Sequence, residues 1–164
     1  MEPELLEALR RNSGLRLDSE GRFFFHERLV ENERVQALFH RSLEVRSNGE
    51  VTLKVGEQWA YVDCTSVAHF VESIRRDAEH LVVRYRHKEG ETPVDPRLAF
   101  GPDGRCYLWS SIDGPPAILG RAAHGALVTL LAEKEGQVVL PLLSEHRPVE
   151  LLSERPKAST RWPC

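Results

Sequence analysis

Leu15-Arg16-Leu17-Asp18-Ser19-Glu20-Gly21-Arg22-Phe23-Phe24-Phe25-His26 reads as a β-hairpin. Its first four residues alternate apolar and polar, Ser19-Glu20-Gly21 makes a turn, and the aromatic run returns as a second strand. The pattern comes back at Leu98-Ala99-Phe100, the turn Gly101-Pro102-Asp103-Gly104, and Arg105-Cys106-Tyr107-Leu108-Trp109. With residue 15 laid on residue 98, Leu15 meets Leu98, Leu17 meets Phe100, Gly21 meets Gly104 and Arg22 meets Arg105. Phe24 and His26 then meet Tyr107 and Trp109. A period of about 83 residues is too long for a solenoid, which points to two half-domains packed on one core.

Outward from the first hairpin, residues 3–12 read as a helix: Pro3 suits the first position, and Glu4 and Glu7 lie near its positive end. Leu5, Leu6 and Leu9 form its apolar stripe. Asn32 caps a second helix at about 33–43, followed by a hairpin around Ser47-Asn48-Gly49 and a strand at Trp59–Cys64. Val67–Ile74 and Leu81–Tyr85 read as strands, although Val67, Phe70, Val71 and Ile74 also fit helical spacing; Lys88–Asp95 reads as a loop. After the second hairpin, Ile118, Leu119, Ala122, Ala123, Ala126, Leu127, Leu130 and Leu131 predict a long helix ending near Gly136, with a last strand at 138–143. The expected class is α+β: antiparallel strands with three helices, in two hairpin–helix–strand units at about 15–74 and 98–143. Residues 1–143 then form one domain, and 144–164, rich in Pro, Arg and Ser, read as a mobile tail.

The totals set bounds on function. A chain of 164 residues, 41% hydrophobic and 29% charged, has the composition of one globular domain. A net charge of −3 argues against a protein that coats nucleic acid or an anionic membrane. No apolar run approaches the roughly 20 residues of a membrane span. Met1-Glu2-Pro3-Glu4 is acidic where a leader would be basic, so a cytoplasmic address is expected. Cys64, Cys106 and Cys164 lack CxxC spacing and read as reduced thiols.

No catalytic or metal-binding spacing stands out. Asp63-Cys64 with His69 nearby is the best nucleophile candidate, yet strand alternation puts Asp63 and Cys64 on opposite faces. Among seven histidines the nearest pair is His80 and His87, without zinc-ligand spacing; His124-Gly125 in the long helix allows close backbone approach, which core packing explains equally well. Gly101-Pro102-Asp103-Gly104 precedes a strand, so it is no phosphate loop, and no cofactor is expected. Arg84, Arg86, His87 and Lys88 beside Tyr85 read as a solvated strand face, so no nucleic-acid partner is expected. The aromatics are more suggestive. Phe23, Phe24, Phe25, Tyr107 and Trp109 exceed what one buried face needs, so they either pack on two sides or meet a ligand.

Residues 17–24, Trp59–Cys64, Val67–Val71, Gly104-Arg105-Cys106-Tyr107 and the run from Pro116 to Leu127 resemble UPF-class proteins of unknown function, found in animal mitochondria and in bacteria. Mainly in its first half, the chain is also similar to a bacterial domain-of-unknown-function family. The resemblance, over roughly residues 15–131, implies a fold of repeated motifs and a role suggested for that family in signal transduction, and it carries over no catalytic residue.

The leading expectation is therefore a non-catalytic binding or regulatory module working at the seam between the units. Its partner is an unknown small molecule or protein, and its contacts are Phe24, His26, Tyr107, Trp109 and the tail residue Trp162. The alternatives are an enzyme of unrecognised type, using Asp63, Cys64, His69 or His124 in a pocket between the units, and a structural subunit of a larger assembly.

Overall fold

The computed structural model describes residues 1–163. The chain opens with α1 (Pro3–Arg11), β1 (Leu15–Leu17), β2 (Phe23–Phe25), β3 (Arg28–Leu29) and α2 (Glu33–Ser42). A meander follows: β4 (Leu43–Val45), β5 (Val51–Val55) and β6 (Gln58–Cys64). A second meander is β7 (His69–Asp77), β8 (His80–Tyr85) and β9 (Thr92–Val94). Then come β10 (Arg97–Phe100), β11 (Cys106–Trp109), β12 (Pro116–Leu119) and α3 (Arg121–Val128). The chain ends in β13 (Ala132–Lys134), β14 (Gln137–Pro141), β15 (His146–Pro148) and β16 (Glu150–Leu151). The class is α+β, but the sheets are mixed. β1 runs parallel to β6, β12 to β7 and β10 to β16. No helix among the described residues is long and apolar enough to cross a membrane.

The repeat is visible in the pairing. Leu15 faces Phe25 and Leu17 faces Phe23; Leu98 faces Leu108 and Phe100 faces Cys106, the same register 83 residues on (98 − 15). Both turns carry a glycine at positive φ, Gly21 at 85° and Gly104 at 77°. Gly21 N–H donates to Asp18 O at 3.1 Å and Gly104 N–H to Gly101 O at 3.0 Å. The first sheet has the order β3-β2-β1-β6-β5-β4; the second unit matches it with β12-β11-β10-β16 and the separate β15-β14-β13. The paired elements therefore run from 15 to 64 and from 97 to 151, not 15–74 and 98–143. The meander β7-β8-β9 lies between the copies in sequence and extends the second unit's sheet through β12.

Alternation on the second unit's central strands divides the interior. Ala99, Tyr107, Trp109 and Ile118 join Leu17, Phe23, Leu53 and Val62 in a cluster shared by both units. Leu98, Cys106, Leu108, Ala117 and Leu119 face the other way, onto Val71, Leu81, Ala123 and Leu127. The shared core is real, and the second unit has a further core of its own.

Three local expectations are corrected. The apolar run 116–119 is strand β12, buried on both faces, and such a run has no periodicity to separate it from a helix. Gly120 then starts the shorter α3, and Glu135 and Gly136, both at positive φ, form the two-residue turn joining β13 to β14. Within 88–95, Thr92–Val94 is an edge strand, where Pro93 costs no ladder bond. The tail is built into the fold. Ala158 N–H donates to Ser66 O at 3.0 Å, Leu152 N–H to Phe100 O at 2.8 Å, and Ala158 is buried. Its order comes from distant backbone partners, which leave no periodic trace in sequence.

Helix α1 also departs from its pattern. Leu5 and Leu9 are both 53% exposed, and the helix docks on β6 through arginines instead. Arg10 lies 4.0 Å from the Trp59 ring centroid and Arg11 4.1 Å from that of Tyr61.

Candidate functional site

Four separate segments line one cleft of about 550 Å³: Glu20 from the first hairpin turn, Arg86 after β8, Gly104-Arg105 from the second hairpin turn, and Gly120, Arg121 and His124 from the start of α3. Both units and the intervening meander contribute. The chain holds these groups by short-range contacts. Arg86 Nη1 donates to Glu20 O at 3.0 Å, and its guanidinium stacks 4.8 Å from the Phe70 ring centroid. A side chain at Gly21 would collide with that guanidinium, a second reason beside its positive φ for glycine there. Arg105 Nη2 donates to Leu119 O at 3.2 Å, and Gly120 N–H donates to Val71 O at 2.9 Å, fixing where α3 begins.

The cleft is electropositive. Arg86, Arg105 and Arg121 form no ion pair among the described residues, and Glu20 is the one acid lining the space. Helix α3 adds its positive end: its cap, Gly120, has no side chain, so the first amides go uncapped. His124 Nδ1 is buried without a hydrogen-bond partner, an omission that costs about 1–3 kcal/mol in a protein interior. Guanidinium groups and free amides around an open space of this size can hold a small anion.

The aromatic residues expected to bind behave otherwise. Tyr107 and Trp109 are fully buried, so neither offers a surface. Tyr107 Oη donates to Asp103 Oδ2 at 2.9 Å and Trp109 Nε1 to Thr160 O at 3.0 Å, which satisfies both polar tips inside the fold. Trp162 does meet Trp109, ring centroids 5.3 Å apart, but as the tail's anchor on the shared core. Phe24 is half-buried beneath the Arg16 guanidinium at 4.2 Å. His26 is exposed at a φ of 48° and packs over Gly14. None of the five lines the cleft.

The candidates for catalysis are dispersed. Cys64 donates through Sγ to Ser66 O at 3.2 Å, and burial pushes its thiol up to about 11. Burial holds His69 down at about 4; it lines a separate depression with Tyr85 and Lys88. Asp63 is exposed, and His124 belongs to the arginine cleft. No group of three His, Cys, Asp or Glu side chains among the described residues is arranged to hold a metal ion. Cys164 lies outside the described residues.

Sequence reading missed the arginines. One signal was available: Gly-Arg occurs at 21–22, 104–105 and 120–121, each a glycine at a chain turn or helix start followed by a cation. Two of these three pairs line the cleft. Within the basic run 84–88, Arg84 lies 4.0 Å from Glu72 and Lys88 5.5 Å from the Tyr85 ring, while Arg86 alone turns to the cleft.

No known family model matches the chain, and no curated protein matches it. Among solved structures it is similar to a DUF1285 family protein from Silicibacter pomeroyi DSS-3, with a TM-score of 0.64 and 15% identity over 84% of this chain and 79% of that one. It is likewise similar to a DUF1285 family protein from Shewanella baltica OS155, with a TM-score of 0.52 and 16% identity over 71% of this chain and 91% of that one. At such identities the likeness is one of fold: the chain shares the architecture of a domain of unknown function.

Proposed function

We propose that the protein is a non-catalytic binding or regulatory module that takes a small ligand into the cleft between its two units. One observation carries this reading: Arg86, Arg105 and Arg121 converge from three separate elements on about 550 Å³ of open space without an ion pair among the described residues. Like-charged groups brought together repel one another, and a bound anion relieves that cost. A ligand bridging the first hairpin turn and α3 would also fix the seam between the units. That gives the signal-transduction role implied by the family resemblance a physical route, in a cytoplasmic setting.

The enzyme alternative has less support, since burial keeps its candidate nucleophile a protonated thiol whose Sγ donates to Ser66 O. A thermal-shift screen of charged and neutral metabolites tests the binding reading, because a ligand of the native state raises its apparent stability. Anionic compounds are expected to raise the melting temperature of the wild type, and Arg121→Glu, a change on an exposed residue, to abolish the shift. Equal shifts in both proteins would place the ligand elsewhere.

A further inference from the structure

We infer that the ligand carries a phosphate group, received by the N-terminus of α3 together with Arg105 and Arg121; the inference rests on reading the cleft as a ligand site. The first unit serves as an internal control, because it shows how the same framework looks when it is closed. At three corresponding places the first unit satisfies a side chain or helix amide that the second leaves without that partner.

The first place is the hairpin turn. Asp18 accepts from Arg22 Nε at 2.9 Å and from the amides of Glu20 at 3.0 Å and Arg22 at 2.8 Å. In the second unit Gly101 stands at that position and Asp103 takes over the turn, its Oδ1 accepting from Arg105 N–H at 3.2 Å, but the guanidinium of Arg105, the counterpart of Arg22, has no carboxylate and donates to Leu119 O instead. The second place is the helix cap. Asn32 Oδ1 accepts from Arg34 N–H at 2.9 Å and Val35 N–H at 3.3 Å, while Gly120 leaves the matching amides of Ala122 and Ala123 without a cap. The third place is the fourth helical position. Gln36 Oε1 accepts from Phe23 N–H at 3.1 Å, and its Nε2 donates to Val30 O at 2.7 Å. His124 occupies that position in α3, and its buried Nδ1 has no partner.

What the second unit lacks is a carboxylate on the Arg105 guanidinium, a cap oxygen for the α3 amides and the amide side chain at the fourth helical position. What it keeps are the donors. Arg105, Gly120 and Arg121 line one cleft with His124 in its wall, so a single ligand can supply oxygens to the two guanidinium groups and to the start of α3. A phosphate offers several acceptor oxygens and up to two negative charges, matched to guanidinium groups and to a helix N-terminus. A carboxylate offers two oxygens and one charge, too few for three arginines. The cleft is also much larger than a phosphate, so the group belongs to an organic phosphate, with Glu20 available to its hydroxyl or amino groups.

The test uses the full chain and isothermal titration with inorganic phosphate, pyrophosphate, sugar phosphates and nucleoside monophosphates, beside the dephosphorylated compounds and dicarboxylates. Phosphorylated compounds are expected to bind and their dephosphorylated counterparts not to. Gly120→Asn restores the first unit's cap and is expected to weaken phosphate binding by roughly tenfold while holding or raising the unliganded melting temperature. A Cβ at Gly120 lies 3.2 Å from Val71 O, so His124→Gln, which installs the first unit's residue, is run beside it with the same expectation. Binding of carboxylates or neutral compounds alone overturns the phosphate inference, and phosphate binding lost in Arg121→Glu but unaltered in both Gly120→Asn and His124→Gln overturns its seat on α3; either leaves the cleft a ligand site. Binding of none of the compounds, or binding indifferent to all three substitutions, overturns both.

Discussion

The two hairpins share turn and register, yet one lies open and the other is closed in. Phe25 is 50% exposed, whereas its counterpart Leu108 is fully buried; His26 is exposed, whereas its counterpart Trp109 is fully buried. The difference lies in what flanks each hairpin. Outside β2 there is only the two-residue edge strand β3. Outside β11 come β12 and the meander β7-β8-β9, and the tail closes over Trp109 through Thr160 and Trp162. A hairpin sets which residues share a face; its neighbours set whether that face is wet.

The sharpest way to break this comparison is to truncate the same position in both copies. Trp109→Ala is expected to cost about 3–5 kcal/mol, the range for losing a buried aromatic, and His26→Ala at most about 0.5 kcal/mol. Urea unfolding of both variants measures the difference. Equal losses would mean that the tail does not close over the second hairpin.

Acid should act through two histidines that burial keeps neutral, one under the first hairpin and one on β7 in the second unit's sheet. His40 lies beneath its turn, with Nε2 2.7 Å from Gly21 O and the ring edge-on to Phe23, and burial holds it at about 4. His69 is held at about 4 in the same way. Both rings stay neutral in the native state while the unfolded chain takes up protons below its ordinary value of about 6.5. Native stability is therefore expected to fall as pH drops from about 6.5 towards 4, with no contribution from these two groups above that window. His40→Gln keeps a donor for Gly21 O and cannot titrate, so its stability curve should be flatter; an unchanged slope would show that His40 is not the group responsible.

The smallest effect expected is chemical. Cys106 in the closed hairpin is pushed up to about 12, and Cys64 beside the first hairpin to about 11, both by burial. Neither should be alkylated stoichiometrically by iodoacetamide at neutral pH in the native protein, and of the two Cys64 should react first as denaturant is added. Fast native labelling of Cys64 would reinstate the enzyme alternative.

Legibility followed the range of the cause. The helix at 33–43 was readable because Asn32 caps it within three residues, and the hairpin at Ser47-Asn48-Gly49 because Gly49 needs a φ of 87°. The two related hairpins were readable because their register and turn glycines are local too. Strand β12 was not, since Pro116–Leu119 is apolar on both faces and is held on one side by β7, 48 residues back (117 − 69). The cleft was hidden for the same reason. Glu20, Arg86, Arg105 and Arg121 are spread over 101 residues (121 − 20) and share no spacing that chemistry recognises.

By itself, then, the sequence determined an α+β chain with two copies of one hairpin, because turn chemistry and alternation act between near neighbours. The tertiary structure alone decided that Tyr107 and Trp109 are core and that the first unit caps its helix while the second leaves α3 uncapped beside three arginines. Burial and convergence depend on which distant segments pack together, and that is a property of the folded chain as a whole.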